Sequence, residues 1–251
     1  MDKIRISAVR YANTYPFIFG LTVRGFESKA IIETDHPADC AQKLITDRAD
    51  LGLIPVSVIP LLNKPQIISD FCIGANGKVR TVQIMSNCGF EEVEKVYLDY
   101  RSRTSVQLIK VIAAKYWKRE FHWMDTSEGF DFDHIGGNGA VVLIGDQCFE
   151  YENHYKFRCD LAEEWKKFTG LPFVFACWIS NKTLPEDFIY DFNEALSYGV
   201  KNIDLVVERF GKSGSITGSE LNTYLTENID FILDADKRKA MNLFIKLQNE
   251  I

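Results

Sequence analysis

Residues 30–54 read AIIETDHPADCAQKLITDRADLGLI, and this stretch decides the fold class. Residues 30–33 and 51–54 are short apolar segments, which predicts two strands. Between them, apolar side chains recur at helical spacing, which predicts a helix over residues 37–48. A strand–helix–strand unit predicts parallel strands with the helix packed on one face of their sheet.

The same alternation continues along the rest of the chain. Further strands are predicted at residues 4–9, 79–86, 96–99, 140–144 and 173–179. The pattern changes near Cys88 and again near Pro172, as expected if the chain leaves one α/β lobe, builds a second and returns. We therefore predict a two-lobed α/β clamp in which each lobe is a mostly parallel sheet with flanking helices. The predicted lobes are residues 1–87 with 173–251, and residues 88–172.

The composition restricts the class of partner. Of the 251 residues, 46% are apolar and 25% are charged, which is typical of a globular protein. The net charge of −6 argues against nucleic acid, and no apolar run approaches the roughly 20 residues needed to cross a bilayer. The first residues lack the pattern of a secretion signal, and the six cysteines are scattered. We predict a cytoplasmic protein with a small-molecule ligand, no nucleic-acid or membrane partner, and a monomeric or homodimeric state.

A run of hydroxyl side chains marks one candidate site. Ser102-Arg103-Thr104-Ser105 lies between a predicted strand and an amphipathic helix. The start of a helix exposes unpaired N–H groups and a positive dipole end, so it attracts carboxylates. The alternative is ordinary N-capping, because serine and threonine are preferred caps.

Other candidates stand directly after strands, where ligands of α/β sheets bind. Asn13 and Thr14 follow the first strand and could hydrogen-bond a ligand or form a turn. Asp146 follows a buried strand and could act as a base or as a helix cap. Candidate binding residues at similar positions are Tyr11, Ser57, Asn76 and Gly145.

Motifs for metal binding and nucleophilic catalysis are lacking. The four histidines show no i, i+4 spacing, and the chain has neither an H-E-x-x-H motif nor a G-x-S-x-G motif. Asp131, Asp133 and His134 lie in a loop of mixed polarity, which favours a solvated loop over a metal site. The sequence therefore predicts no metal centre.

Six segments in this order resemble the chorismate dehydratases of the futalosine route to menaquinone. They are Val9-Arg10-Tyr11-Ala12-Asn13-Thr14-Tyr15-Pro16, Asp50-Leu51-Gly52-Leu53-Ile54-Pro55-Val56, Gly77-Lys78-Val79-Arg80-Thr81-Val82, Leu98-Asp99 with Ser102-Arg103-Thr104-Ser105-Val106, Leu143-Ile144-Gly145-Asp146, and Trp165 with Thr169-Gly170-Leu171-Pro172-Phe173-Val174-Phe175-Ala176. The resemblance implies a fold similar to type II periplasmic binding proteins. It also implies loss of water from chorismate to give 3-[(1-carboxyvinyl)oxy]benzoate, without a metal or organic cofactor.

The resemblance also assigns roles to residues. The family's functional asparagine falls on Asn13, and its functional serine falls on Thr81, so that a hydroxyl is kept and a methyl is added. No histidine or glutamate in the matching segments is an obvious base. This favours proton removal by the substrate's own enolpyruvyl carboxylate, with Asp146 as the competing base on the protein.

Two other functions fit a clamp of this kind. One is the function of the 1,4-dihydroxy-6-naphthoate synthases, a family that resembles the chorismate dehydratases. The Ser-Pro-Cys-Pro-Asn-Asp segment with which those proteins start is lacking here. The other is a cytoplasmic binding or sensor protein for small carboxylates, which needs the same clamp without chemistry.

Overall fold

Two β-sheets organise the chain in the computed structural model, which describes residues 3–212 and 215–251. Met1, Asp2, Ser213 and Gly214 lie outside the described residues. The described strands are β1 (Ile4–Val9), β2 (Ala30–Asp35), β3 (Leu51–Pro55), β4 (Gln66–Ala75), β5 (Val82–Ser86), β6 (Lys95–Leu98), β7 (His122–Asp125), β8 (Gly139–Ile144), β9 (Phe157–Asp160), β10 (Phe173–Ser180) and β11 (Asp230–Ile232).

Helices cover the faces of both sheets. The described α-helices are α1 (Tyr15–Val23), α2 (Pro37–Ile45), α3 (Thr104–Ile112), α4 (Gln147–Glu150), α5 (Leu161–Thr169), α6 (Glu186–Lys201), α7 (Ile203–Phe210), α8 (Gly218–Thr223) and α9 (Ala235–Gln248). Two 3₁₀ turns, Ala12–Thr14 and Val56–Leu61, follow β1 and β3, and a π-helical turn, Tyr224–Asn228, follows α8. Among the described residues, no helix is both long and apolar enough to cross a membrane.

Most strands of each sheet point the same way, as predicted, although both sheets also contain antiparallel strands. The six-stranded sheet has the order β11-β4-β10-β3-β1-β2, and the five-stranded sheet has the order β7-β6-β8-β5-β9. β10 runs antiparallel to β3 and β4, and β5 runs antiparallel to β8 and β9. Each of these two strands begins where the chain has just crossed between the sheets. Each of them therefore begins at the edge of the sheet where the neighbouring parallel strands end, and it must run in the opposite direction to those strands.

The crossing between sheets comes earlier than the sequence pattern predicts. β5 belongs to the five-stranded sheet, so its predicted place in the first lobe, through residue 87, is wrong. The carboxylate of Asp160, at the end of β9, accepts the N–H groups of Val79 and Arg80 at 3.1 and 2.7 Å. These bonds attach the segment before β5 to the second sheet. The return at β10 joins the six-stranded sheet, and the remaining lobe boundaries stay a prediction.

The core lies under the central strands, and it explains the apolar runs of the sequence. All residues of β3, β8 and β10 are buried, because helices or the other layer cover both faces. The backbones of α1 and α6 are in contact where the two helices cross. A Cβ atom on Gly20 would lie 1.9 Å from the Ala195 carbonyl oxygen, so glycine is required at this helix crossing.

Candidate functional site

A cleft opens between the two sheets at the ends of their parallel strands. It has about 500 Å³ of space between atoms, including its open mouth. Its polar lining consists of Tyr11, Asn13, Thr81, Ser102, Thr104 and Ser105. Its apolar lining includes Val9, Pro55, Ile73, Val82, Ile144 and Phe175. Seven predicted site residues therefore lie together, counting Gly145 with the polar six.

The cleft lining carries no charged side chain among the described residues. A carboxylate ligand would have to be held by hydroxyl, amide and backbone N–H groups. Such neutral donors act strongly on an anion when apolar walls exclude water, because the local dielectric is low. The cleft is therefore suited to a small ligand that combines an apolar ring with carboxylate or hydroxyl groups.

The start of α3 supplies the hydroxyls on one wall. The Ser102 hydroxyl oxygen accepts from the Ser105 N–H at 3.1 Å, so Ser102 acts as a cap and still retains its hydroxyl hydrogen. The Ser105 hydroxyl faces the cleft and has no hydrogen-bond partner in residues 3–212 or 215–251. Ser102 lies two residues before α3 and Ser105 is in its first turn, and both line the cleft. They are the two donors of this wall that a ligand can use.

Thr104 is bound within the protein instead. Its hydroxyl donates to the Phe175 carbonyl oxygen at 3.1 Å and accepts from the Ser57 N–H at 3.3 Å. These contacts attach α3 to the six-stranded sheet and to the turn after β3. Although Thr104 lines the cleft, its hydrogen is already used, so the predicted carboxylate role is better filled by its neighbours.

A carboxylate from the five-stranded sheet holds the turn after β1. The N–H of Ala12 donates to both carboxylate oxygens of Asp146, at 3.0 and 3.2 Å. Burial raises the pKa of the Asp146 carboxyl to about 6. Asp146 does not itself line the cleft. Its position makes it a support for the turn that carries Asn13, and it connects the two sheets at the cleft.

Gly145 is required by close packing against Tyr11. It has φ +70°, and a Cβ atom there would lie 2.6 Å from the Tyr11 ring. The Tyr11 hydroxyl is 3.3 Å from Nδ1 of His36. The glycine thus lets an aromatic ring from the first sheet lie directly on the backbone of the second.

Thr81 enters the cleft from the segment that crosses between the sheets. Arg80, directly before it, adopts the left-handed conformation with φ +67°. The carbonyl oxygen of Thr81 accepts from the Gly145 N–H at 2.9 Å. The backbone on both sides of Thr81 is therefore fixed, and its side chain faces the cleft.

Tyr224 stands behind Thr81 and was missed by the sequence analysis. Its hydroxyl oxygen lies 2.8 Å from Oγ1 of Thr81. The ring is fully buried and packs edge-on against Phe149 at 5.1 Å. A tyrosine inside a helical stretch gives no local signal of such a role, since the contact depends on the chain's return to the cleft.

Four predicted binding residues lie outside the cleft lining. Thr14 is fully buried beneath the turn, where its hydroxyl donates to Oδ1 of Asn13 at 3.3 Å. Ser57, in the turn after β3, and Arg103, directly before α3, line an outer groove that Ser102 also lines. Asn76 is exposed at the turn after β4 and lines a different groove.

Acidic and histidine side chains do not gather into a metal site in the described part of the chain. In the described ranges, no group of three or more His, Cys, Asp or Glu side chains could hold a metal ion. Asp131 and His134 form an exposed ion pair, which agrees with the interpretation of a solvated loop. The expectation that no metal or cofactor is needed stays a prediction.

The chain is similar to proteins of menaquinone biosynthesis along nearly its whole length. A family described as menaquinone biosynthesis matches residues 4–250. A chorismate dehydratase from Thermus thermophilus is 24% identical over 261 aligned positions, which cover 94% of this chain and 91% of that protein.

Solved structures with similar folds extend the comparison. Protein AF1704 from Archaeoglobus fulgidus has a TM-score of 0.75 at 14% identity, covering 99% of this chain and 97% of its own. A Candida albicans protein described as having the generic periplasmic binding protein fold has a TM-score of 0.70 at 11% identity, covering 100% and 91%. The Escherichia coli aliphatic sulphonate binding protein SsuA has a TM-score of 0.60 at 12% identity, covering 100% and 92%. At these identities the likeness shows the fold, a two-lobed periplasmic-binding-protein-like clamp.

Proposed function

We propose that this chain, which belongs to the menaquinone biosynthesis family, is a chorismate dehydratase. The reaction would remove water from chorismate and give 3-[(1-carboxyvinyl)oxy]benzoate. The observation that carries the proposal is the meeting of Asn13 and Thr81 with the Ser102 and Ser105 hydroxyls in one uncharged cleft. The T. thermophilus relative of that name supports the same reaction. A cytoplasmic location stays a prediction.

The start of α3 would hold one carboxylate of the substrate. Ser102 and Ser105 each offer a hydroxyl hydrogen toward the cleft, and the helix adds its positive end. Each such contact with a partly buried anion is worth about 1–2 kcal/mol. These residues would lower KM without taking part in bond breaking.

Asn13 and Thr81 would act on the opposite wall, beside the leaving hydroxyl or the ring carboxylate. In the elimination, a ring C–H bond breaks and its electron pair forms the new ring double bond. The neighbouring C–O bond breaks at the same time, and the hydroxide that leaves combines with the removed proton as water. A neutral donor near the leaving oxygen stabilises the negative charge that develops there.

The proton acceptor in this proposal is the enolpyruvyl carboxylate of the substrate. Asp146 is the charged side chain next to the cleft turn, but both of its oxygens accept from the Ala12 N–H and it does not line the cleft. A base must come within hydrogen-bond reach of the proton that it removes. We therefore give Asp146 a supporting role and place proton removal on the substrate.

The test is product formation from chorismate, followed by ultraviolet absorbance and mass spectrometry. The wild type should convert chorismate to a product lighter by one water molecule, while Asn13→Ala should lose most of the rate with little change in thermal stability. Calorimetry on the same samples separates binding from turnover. Tight binding of chorismate without conversion over hours would instead favour a sensor. The absence of both binding and conversion would reject the proposal altogether.

A further inference from the structure

A buried hydroxyl lies directly behind Thr81, one of the two residues that we place beside the leaving group. Oη of Tyr224 lies 2.8 Å from Oγ1 of Thr81. Burial raises the pKa of the Tyr224 phenol far above its ordinary value, so the group is neutral and carries one hydrogen to donate.

Burial determines the direction of this hydrogen bond. Tyr224 is fully buried, and the hydrogen-bond partner of its hydroxyl is Oγ1 of Thr81. If Thr81 donated its hydrogen to the phenol oxygen, the phenol hydrogen would be left in the interior without an acceptor, which is unfavourable. The phenol hydrogen is therefore directed to Oγ1 of Thr81.

Thr81 is thereby left with its own hydrogen for the cleft. Thr81 lines the cleft, and within the described residues Tyr224 is the one side chain to which its hydroxyl hydrogen-bonds. A hydroxyl that accepts from a fixed neighbour is restricted in rotation and is oriented as a donor. The order of donation is Tyr224 to Thr81 and Thr81 to the ligand.

We propose that Tyr224 is a positioning residue that orients the Thr81 hydroxyl as a hydrogen-bond donor to the departing hydroxyl group of the substrate. This inference rests on the proposed dehydration and adds to it a role for a residue outside the cleft lining. Tyr224 touches no reacting atom, so its whole effect on turnover should pass through Thr81.

Tyr224→Phe is the first test, because it keeps the ring against Phe149 and removes only the hydroxyl. We expect kcat to fall about 10- to 100-fold with KM changed less than about threefold, the cost of misplacing one catalytic group. Tyr155→Phe is the matched control. Its buried hydroxyl donates to the Phe132 carbonyl oxygen in a separate apolar cluster, so kcat should stay at the wild-type value.

A double-substitution cycle separates positioning from general damage. In a Thr81→Val background, Tyr224→Phe should cause no further loss of kcat, since the hydroxyl that it orients is already gone. An equal loss in both backgrounds would overturn the proposal, as would an unchanged kcat for Tyr224→Phe alone.

A second measurement reports on the hydrogen bond between Tyr224 and Thr81 without any turnover. With ¹³C-labelled tyrosine, the Cζ resonance of Tyr224 is assigned by its loss in Tyr224→Phe. It should shift in Thr81→Val, which removes the partner of the phenol, and stay in place in the control Tyr155→Phe. If the wild type forms no product from chorismate, the proposed function fails while this resonance still tests the hydrogen bond. A resonance that Thr81→Val does not move would overturn the proposal.

Discussion

Replacing Asp146 with asparagine removes a buried carboxyl group while keeping an oxygen that can accept from the Ala12 N–H. Burial raises the pKa of this carboxyl from 3.8 to about 6 in the folded protein. Between these two values the folded state binds more protons than the unfolded state. The contribution of Asp146 to stability is therefore greatest in acid and falls as the pH rises through this window.

The size of the effect follows from the difference in pKa. A difference of about two is worth about 3 kcal/mol, and the residual solvent contact of the carboxyl reduces this to about 2 kcal/mol. The amide of the Asp146→Asn variant does not titrate, so the variant should gain about 2 kcal/mol relative to the wild type between about pH 4 and pH 7. Above that window the difference should be constant.

Urea unfolding followed by tryptophan fluorescence at a series of pH values measures this difference directly. Asp131→Asn is the control, because Asp131 is exposed and its pKa is lowered by the His134 hydrogen bond. The stability that Asp131 gains from its lowered pKa is constant above its unfolded value, so the Asp131→Asn difference should be flat from about pH 4 to pH 6 and change only where His134, whose pKa is raised, loses its proton. A stability difference between Asp146→Asn and wild type that stays flat from pH 4 to pH 7 would refute the account of a desolvated carboxylate.

Three further predictions concern the cleft. Asn13→Ala should lower kcat at least about 100-fold while the melting temperature changes little, which steady-state kinetics and calorimetry check together. Gly145→Ala should lower the free energy of unfolding by about 1–3 kcal/mol, since alanine is strained at the positive φ and collides with the Tyr11 ring. A variant that unfolds at the same urea concentration as the wild type would contradict this. Ser105→Ala should raise KM with little loss of stability, whereas Thr104→Val should destabilise the protein by about 1–3 kcal/mol through its lost buried bond. If Thr104→Val instead raised KM and Ser105→Ala instead lowered the stability, Thr104 and not Ser105 would bind the ligand.

Local sequence pattern was sufficient for the unit over residues 30–54. β2, α2 and β3 form there as predicted, because an apolar helix face and two short apolar strands allow few other arrangements. β1 lies between β2 and β3 and runs parallel to both. The order of strands in the sheet could not be predicted, since it depends on contacts between distant residues.

Several short or irregular strands gave too little pattern to be found. β11 has three residues, and β9 alternates charged and apolar residues over only four. β4 has ten residues, but its pairing with β10 is interrupted by register shifts, and Asp70 breaks the apolar run. β5 was found as a strand and assigned to the wrong lobe, because the pattern of one strand does not reveal its partners.

The site was partly predictable for a similar reason. Six of the cleft residues could be singled out one at a time by their positions after strands, whereas Thr81 was singled out only by the family resemblance. The sequence could not show that the Thr104 hydroxyl binds a carbonyl oxygen of β10, which is 71 positions away. Nor could it show Tyr224 behind Thr81, 143 positions away, since both contacts exist only once the chain has returned.

The dehydration of chorismate by the wild-type protein is the central claim, and proton NMR of the reaction mixture tests it most directly. We predict that the ring signals of chorismate are replaced by aromatic signals while the vinyl signals of the enolpyruvyl ether remain. Loss of the vinyl signals with release of pyruvate would mean a different cleavage of the same substrate. An unchanged chorismate spectrum in the presence of folded protein would contradict the account.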